Sequence, residues 1–303
     1  MMAATATHGP LRGELLLAEP MSRHTTWRVG GPAARMYRPA DIDDLAAFLR
    51  ELPADEPLFF LGLGSNLLVR DGGIPGTVIL TAQGMDGLTQ LAPDLVRAEA
   101  GVACARVAKF CTQRGLTGAE FLAGIPGTMG GALAMNAGAF GGETWDRVAA
   151  VETIDRDGRR RTRLPADFEV AYRHVAAPPQ EWFVAAHLRL APGDGEAAAA
   201  RVKQLLAQRA ATQPVGKPSC GSVFRNPPGD HAARLIEAAG LKGRARGGAV
   251  VSEKHANFII NTGNASAADI EALIGQVQAT VRERFGVELQ PEVRVVGEAS
   301  EQA

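Results

Sequence analysis

Hydrophobic positions recur along this chain at two spacings, and the change from one to the other marks out its elements. Leu45, Phe48, Leu49 and Leu52 follow Asp41 at helical intervals, and Asp44 sits in the first turn, where the helix dipole favours an anion; a helix starts after Asp41. Residues 58–61, 78–80 and 95–100 are short apolar runs that predict strands, the first running into glycines. Residues 103–114 predict a helix that Gly115 stops. Residues 148–154 and 160–164 flank Asp157-Gly158, a hairpin signal, and residues 182–190 continue the β region. Residues 192–195 read Pro-Gly-Asp-Gly, a linker, and the main boundary falls there. Beyond it lie an alanine-rich helix over residues 196–210 and another over 230–239 that ends at Gly240. A third follows Ser266, with Asp269 three residues on, and carries Ile270, Leu273, Ile274, Val277 and Val281 on one face until Gly286. Residues 257–260 and 287–296 predict the remaining strands. Strands come in blocks, helices follow, and no βαβ alternation appears, so the fold class is α+β.

Length and charge narrow the picture. A chain of 303 residues exceeds the size at which one core stops growing, so two or three lobes are expected. A net charge of -1 and a pI near 6.6 provide no general attraction to nucleic acid or an anionic membrane, so an anion must be captured locally. Cys104 and Cys111 stand roughly 10 Å apart along a helix, beyond disulfide reach, and no cysteine pair or histidine cluster has zinc spacing. The stretch around Leu15, Leu16 and Leu17 is interrupted by Glu14 and Glu19 and is too short for a signal core or a membrane span. Residues 1–20 are expected to be a loose extension, and the cysteine usage fits a reducing cytoplasm.

Two segments carry glycine where chemistry would need it. Gly62-Leu63-Gly64-Ser65-Asn66-Leu67 follows a strand; its glycines allow close backbone approach, and Ser65 and Asn66 can bond phosphate oxygens. The third glycine of a dinucleotide fingerprint is missing, and an ordinary tight turn remains open. Gly124-Ile125-Pro126-Gly127-Thr128-Met129-Gly130-Gly131-Ala132, followed by Asn136-Ala137-Gly138, is almost uncharged, so its amides are the candidate anion ligands. The lysine of a nucleotide-hydrolysing loop is absent, and glycine packing alone remains open. Two such loops without paired carboxylates for magnesium suit a diphosphate that is held rather than cleaved. Gly221-Ser222-Val223-Phe224-Arg225-Asn226-Pro227 places a hydroxyl beside a cation, but lacks the hydrolase elbow pattern. Tyr172-Arg173, His255-Ala256-Asn257 and Pro291-Glu292-Val293 are individually bland: an ion pair, a core histidine and a solvated strand residue would each account for them.

In this order, together with Thr25-Thr26-Trp27-Arg28-Val29-Gly30-Gly31-Pro32, these segments resemble the UDP-N-acetylenolpyruvoylglucosamine reductase family over residues 22–297. The resemblance implies a two-lobed FAD-binding domain of the vanillyl-alcohol oxidase type, residues 21–193 with lobes of about 21–85 and 86–193. A C-terminal α+β substrate-binding domain, residues 194–303, would return a strand to the active site. It implies non-covalent FAD with its diphosphate cradled by Gly62, Gly64, Ser65, Asn66, Leu67, Gly124, Ile125, Pro126, Gly127, Thr128, Gly130, Gly131 and Ala132. Asn136, Gly138 and Arg225 are further expected cofactor contacts.

It further implies hydride transfer from NADPH to FAD, then to the terminal carbon of UDP-N-acetylglucosamine enolpyruvate, in cell-wall precursor synthesis. Arg173 and Glu292 would stabilise the charge that builds on the pyruvyl carboxylate, and Ser222 would protonate the adjacent carbon. No metal, nucleic acid, membrane or second copy is required. Two features depart from the pattern. Relatives read Tyr-Arg-x-Ser where this chain has Tyr172-Arg173-His174-Val175, so support for Arg173 must come from His174 or from elsewhere. With Tyr37 and Tyr172 as its two tyrosines, the chain resembles the shorter branch, without the tyrosine loop. The alternatives are another FAD-dependent oxidoreductase on the same scaffold, or an inactive flavin- or nucleotide-sugar-binding protein.

Overall fold

The computed structural model describes residues 11–300. Its first sheet orders the strands Glu14–Pro20, Pro32–Arg38, Ile74–Leu80 and Leu58–Leu61, the first pair antiparallel and the others parallel. Helix α1 (Ile42–Glu51) covers it, capped by Asp41, whose carboxylate accepts from Asp44 N–H at 2.8 Å. A second, wholly antiparallel sheet orders Arg160–Arg163, Val148–Asp155, Glu181–Arg189, Leu95–Glu99 and Leu88–Ala92. Helices α2 (Cys104–Thr112) and α3 (Met129–Ala134) bury Val107, Cys111, Met129 and Leu133 in the same core as Val96, Val151 and Leu188 from that sheet. Then come α4 (Gly195–Thr212), α5 (Ala232–Ala238), a small sheet of Ala245–Arg246, Ala249–Val251 and Ile259–Asn261, and α6 (Ala267–Phe285). The mixture of helices and strands is α+β, as the patterning predicts.

Helix α6 forms for the reasons its sequence declares. Ser266 and Asp269 close a capping box, Gly286 ends the helix in a left-handed conformation (φ 68°), and its predicted apolar face is buried. The strand Arg294–Val296 then pairs in parallel with Leu67–Val69, so the C-terminal segment returns to the first glycine loop.

Two expectations are corrected. Residues 14–20 of the supposed loose extension form an edge strand registered against Pro32–Arg38; only Leu16 packs inward, while Leu15 and Leu17 stay exposed, so the apolar signal is thin. Residues 1–10 lie outside the described residues. The last strand is not 287–296 but Arg294–Val296, preceded by a single bridge from Pro291 to Phe224; Pro291 has no N–H to give a ladder. Among the described residues no helix is long and apolar enough to cross a membrane, and no acidic, histidine or cysteine cluster suits a metal. Cys104, Cys111 and Cys220 are free and buried, and burial pushes the first two thiols up to about 12.

Candidate active site

The two glycine loops, distant in sequence, meet face to face. A Cβ at Gly62 would collide with the Thr128 side chain, and one at Gly64 (φ +59°) with the His24 carbonyl, so glycine is required at both. Gly127 closes the contact, with room for a Cβ only 3.3 Å from Ser65 Oγ. Thr26 N–H donates to Gly64 O at 3.2 Å and ties the loop to the residues before the first β-α unit. Among the described residues no acceptor is found for the N–H groups of Leu63, Gly64, Ser65 and Asn66, or for those of Gly127 and Thr128. Thr128 is 2% exposed, and its Oγ1 is buried without a partner. Buried polar groups are normally satisfied, and a cradle of free amides around an orphan hydroxyl is what an anionic diphosphate would satisfy. The residues present therefore fit FAD at this place.

The other predicted cofactor residues divide by what the structure already asks of them. Gly130 N–H donates to Ala100 O at 2.9 Å, and a Cβ there would press Ala100; Gly124 leaves room for the Phe140 ring. Ile125, Ala132 and Leu67 are buried, Leu67 in the strand that pairs with Arg294. Gly131 is exposed, and Pro126 lines a cavity with Ser65.

Asn136 and Gly138 lie beside Arg173. Asn136 is 2% exposed and adopts φ 45°; its Nδ2 donates to Glu143 and to Ala171 O, and its Oδ1 accepts from Trp145 N–H. Its side chain is thus committed to shaping the loop, while its carbonyl faces the guanidinium.

Arg173 itself is the centre of a second cluster. Nε donates to Glu292 Oε1 at 3.1 Å, Nη2 to Gly138 O at 3.1 Å and Nη1 to Asn136 O at 3.4 Å. These two carbonyls accept from the Arg173 guanidinium, while His174 is exposed on the hairpin Glu169–Ala171 and His174–Ala176. Burial pushes the Glu292 carboxyl up, against the pull of Arg173 and Arg225.

Ser222 is brought to this pair through the backbone. Glu292 N–H donates to Val223 O at 2.8 Å, Arg225 N–H to Gln290 O at 2.9 Å, and Phe224 bridges Pro291, which zips residues 222–225 onto 290–292. The other side of that segment is clamped by Asn257, whose side chain accepts from Phe224 N–H at 2.9 Å and donates to Phe224 O at 2.8 Å. Asn257 therefore acts on the main chain of the serine segment, and His255 packs edge-on against Phe258. Arg225 lines a cavity of about 310 Å³ with Tyr172, Asn226, Pro227 and Gln290.

Asn66 joins the two clusters. Its Nδ2 donates to Glu292 O at 3.1 Å, and its carbonyl accepts from Arg294 N–H at 3.2 Å. The glycine cradle, the Arg173–Glu292 pair and the serine segment thus form one continuous site. Sequence reasoning did not single out the Asn66 link or the Asn257 clamp; asparagine in a loop reads first as a turn residue.

Comparison with known proteins agrees with this architecture. Residues 33–162 match the FAD binding domain family, and residues 213–296 the C-terminal domain of UDP-N-acetylenolpyruvoylglucosamine reductase. A UDP-N-acetylenolpyruvoylglucosamine reductase of Alkalilimnicola ehrlichii is 67% identical over 299 residues, covering 99% of both chains. One of Methylococcus capsulatus is 63% identical over 98% of both. The crystal structure of the Thermus caldophilus enzyme superposes with a TM-score of 0.81 at 34% identity, covering 94% of this chain and 99% of that one.

Proposed function

The chain belongs to the UDP-N-acetylenolpyruvoylglucosamine reductase family, and from that premise we propose that it reduces UDP-N-acetylglucosamine enolpyruvate to UDP-N-acetylmuramate for peptidoglycan synthesis. It is an FAD-dependent oxidoreductase. NADPH is the electron source, and three buried free thiols fit a reducing cytoplasm. Residues 21–193, with the edge strand Glu14–Pro20 added to the first lobe, form the FAD-binding domain, with lobes of about 21–85 and 86–193, and residues 194–303 the substrate-binding domain.

The observation that carries this reading is the Asn66 bridge, because it fixes the cofactor cradle against the ion pair that serves the reaction. When bound, FAD relays hydride from the nicotinamide to the substrate. Free amides from Leu63 to Asn66 and at Gly127 and Thr128, with the Thr128 hydroxyl, would hold its diphosphate. Arg173 is oriented by two carbonyls and Glu292, so its planar fork can meet the pyruvyl carboxylate at two points as negative charge spreads onto it. Glu292 keeps that fork in place. The Ser222 hydroxyl would give its proton to the carbon adjacent to the terminal carbon of the enolpyruvyl double bond as that bond is reduced. Serine is a feeble acid in water, but a carbanion-like centre beside it would be a strong base, and the zipped backbone holds the serine segment in register with Glu292.

Incubating the purified protein with FAD, NADPH and UDP-N-acetylglucosamine enolpyruvate should yield UDP-N-acetylmuramate, two hydrogens heavier than the substrate by mass spectrometry. NADPH consumption without that product would reject the substrate assignment.

A further inference from the structure

Ser222 does little to hold its own position. Among the described residues neither its hydroxyl nor its main chain forms a hydrogen bond. Gly221, just before it, adopts φ +81°, and a Cβ there would meet no atom within 4 Å, so nothing packs against the chain on that side. The serine is therefore placed from its other side, by Val223, Phe224 and Arg225. Each main-chain donor of those three residues is engaged: Val223 N–H donates to Asn257 O, Phe224 N–H to Asn257 Oδ1 and Arg225 N–H to Gln290 O, all at 2.9 Å. Val223 O accepts from Glu292 N–H at 2.8 Å, and Phe224 O from Asn257 Nδ2 at 2.8 Å.

Asn257 thus supplies one whole side of this segment, its carbonyl and both ends of its amide doing what a neighbouring strand would do, while residues 290–292 supply the other. It is 3% exposed, and its loop is itself fixed. Ser252 Oγ accepts from the N–H groups of Lys254 at 3.2 Å and His255 at 3.3 Å, and Ser252 N–H donates to Phe258 O at 2.8 Å. The strand that follows, Ile259–Asn261, is bonded at both ends to Trp27. A buried asparagine that satisfies main-chain groups is usually a packing device and nothing more. Here, however, the residue it steadies stands next to one that has no bond of its own. Loss of the clamp would release Ser222 directly, whereas Glu292 would keep its bond from Asn66 Nδ2 and the pairing of Arg294 with Leu67.

We infer that Asn257 is a positioning residue for proton delivery, acting through the main chain of Phe224 to hold the Ser222 hydroxyl where the substrate carbon needs it. This rests on the reading of Ser222 as the proton donor. A weak acid contributes only when it is held at the reacting atom, and a displacement of about 1 Å can cost a hundredfold in rate. The clamp therefore serves one half-reaction, the one in which substrate reoxidises the flavin, and serves it only while the hydroxyl is present.

The test is a double-mutant cycle in the full-length, FAD-loaded protein. Reoxidation of reduced flavin by UDP-N-acetylglucosamine enolpyruvate is followed anaerobically in wild type, Ser222→Ala, Asn257→Leu and the double variant. Ser222→Ala alone checks the underlying reading, which fails if that variant reoxidises normally. Asn257→Leu keeps the shape of the side chain but neither donates nor accepts. It should slow reoxidation by about ten- to a hundred-fold, with reduction by NADPH and the substrate dissociation constant within about twofold of wild type. In the Ser222→Ala background the same change should add less than about twofold, because the hydroxyl it positions is gone. Asn257→Ser, small enough to admit water to the Phe224 main chain, is the milder variant and should show the same pattern. Independently of turnover, hydrogen exchange over residues 222–225 should quicken in both Asn257 variants, while the glycine-loop residues 62–66 keep their wild-type rates. Equal slowing in both backgrounds, slowing of both half-reactions, unchanged exchange over residues 222–225, or wild-type reoxidation in either FAD-loaded Asn257 variant would overturn the inference.

Discussion

Single side chains decide the chemistry, and their environments give signed expectations. Ser222→Ala removes the proposed proton donor while leaving the cradle and the Arg173–Glu292 pair intact. Reoxidation of reduced flavin by substrate should slow by about 10²–10⁴-fold in anaerobic stopped flow, with reduction by NADPH little changed. Equal slowing of both half-reactions would point to a structural defect instead. Glu292 behaves differently because burial raises its carboxyl above the ordinary value. The folded state then holds that proton more tightly than the unfolded chain. Its contribution to stability is therefore complete below the unfolded value and is lost as pH rises through the raised folded one. Glu292→Gln keeps the neutral shape, so its melting temperature relative to wild type should climb as pH rises from about 4 to 7, while turnover collapses. A relative melting temperature that fell over this range would show that the ion pair with Arg173 outweighs burial. The sequence exposed Arg173, Ser222 and Glu292 only as members of an ordered set of motifs. What it concealed was their support: the Asn136 and Gly138 carbonyls, the Asn257 clamp and the Asn66 bridge are long-range backbone contacts with no local signature.

At the scale of elements, strong periodicity was readable and weak periodicity was not. Helices α1 and α6 announce themselves through Asp41, Ser266, Asp269 and Gly286, and form where the pattern places them. The strand Glu14–Pro20 turns a single leucine inward and owes its place to pairing with Pro32–Arg38, which no local window can see. The second sheet carries a polar device of the same kind. Glu152 accepts from Arg97 Nε at 2.6 Å and from Arg97 Nη2 at 2.8 Å, and lies 2.7 Å from His187 Nε2, joining three adjacent strands. Arg97, followed by His187, holds the Glu152 carboxyl down at about 2. A depressed folded value contributes stability above the unfolded pKa, and that contribution is lost as pH falls through about 2. Glu152→Gln should therefore lower stability by about 1–2 kcal/mol at pH 7 in urea titrations, and the deficit should shrink as the buffer moves from pH 5 toward pH 3. A deficit independent of pH would assign the loss to packing.

Across the whole molecule, the two ends of the chain are interlocked. Trp27, fully buried, lies in the core formed by the C-terminal helices; its Nε1 donates to Ile259 O at 2.7 Å, and its carbonyl accepts from Asn261 Nδ2 at 2.9 Å. Asp71 accepts from the N–H groups of Ala267 and Ala268 at the start of α6, and Arg294–Val296 pairs with Leu67–Val69. Trp27→Phe should cost about 1–3 kcal/mol, since it leaves the buried Ile259 carbonyl without its donor, and the variant should still unfold in one transition by circular dichroism and fluorescence. Two separated transitions would show that the N- and C-terminal parts fold as independent units. The same interlock serves the candidate site, because it sets the serine segment beside Glu292 and the strand Arg294–Val296 beside the first glycine loop.

The central claim is that one continuous site carries electrons from NADPH to the enolpyruvyl substrate through FAD. Its most direct test is the visible flavin absorbance of the purified protein under anaerobic conditions. NADPH should bleach the band, and UDP-N-acetylglucosamine enolpyruvate, added after the NADPH is spent, should restore it. A band that bleaches but does not return with that substrate, or a protein that takes up no FAD, would contradict the account.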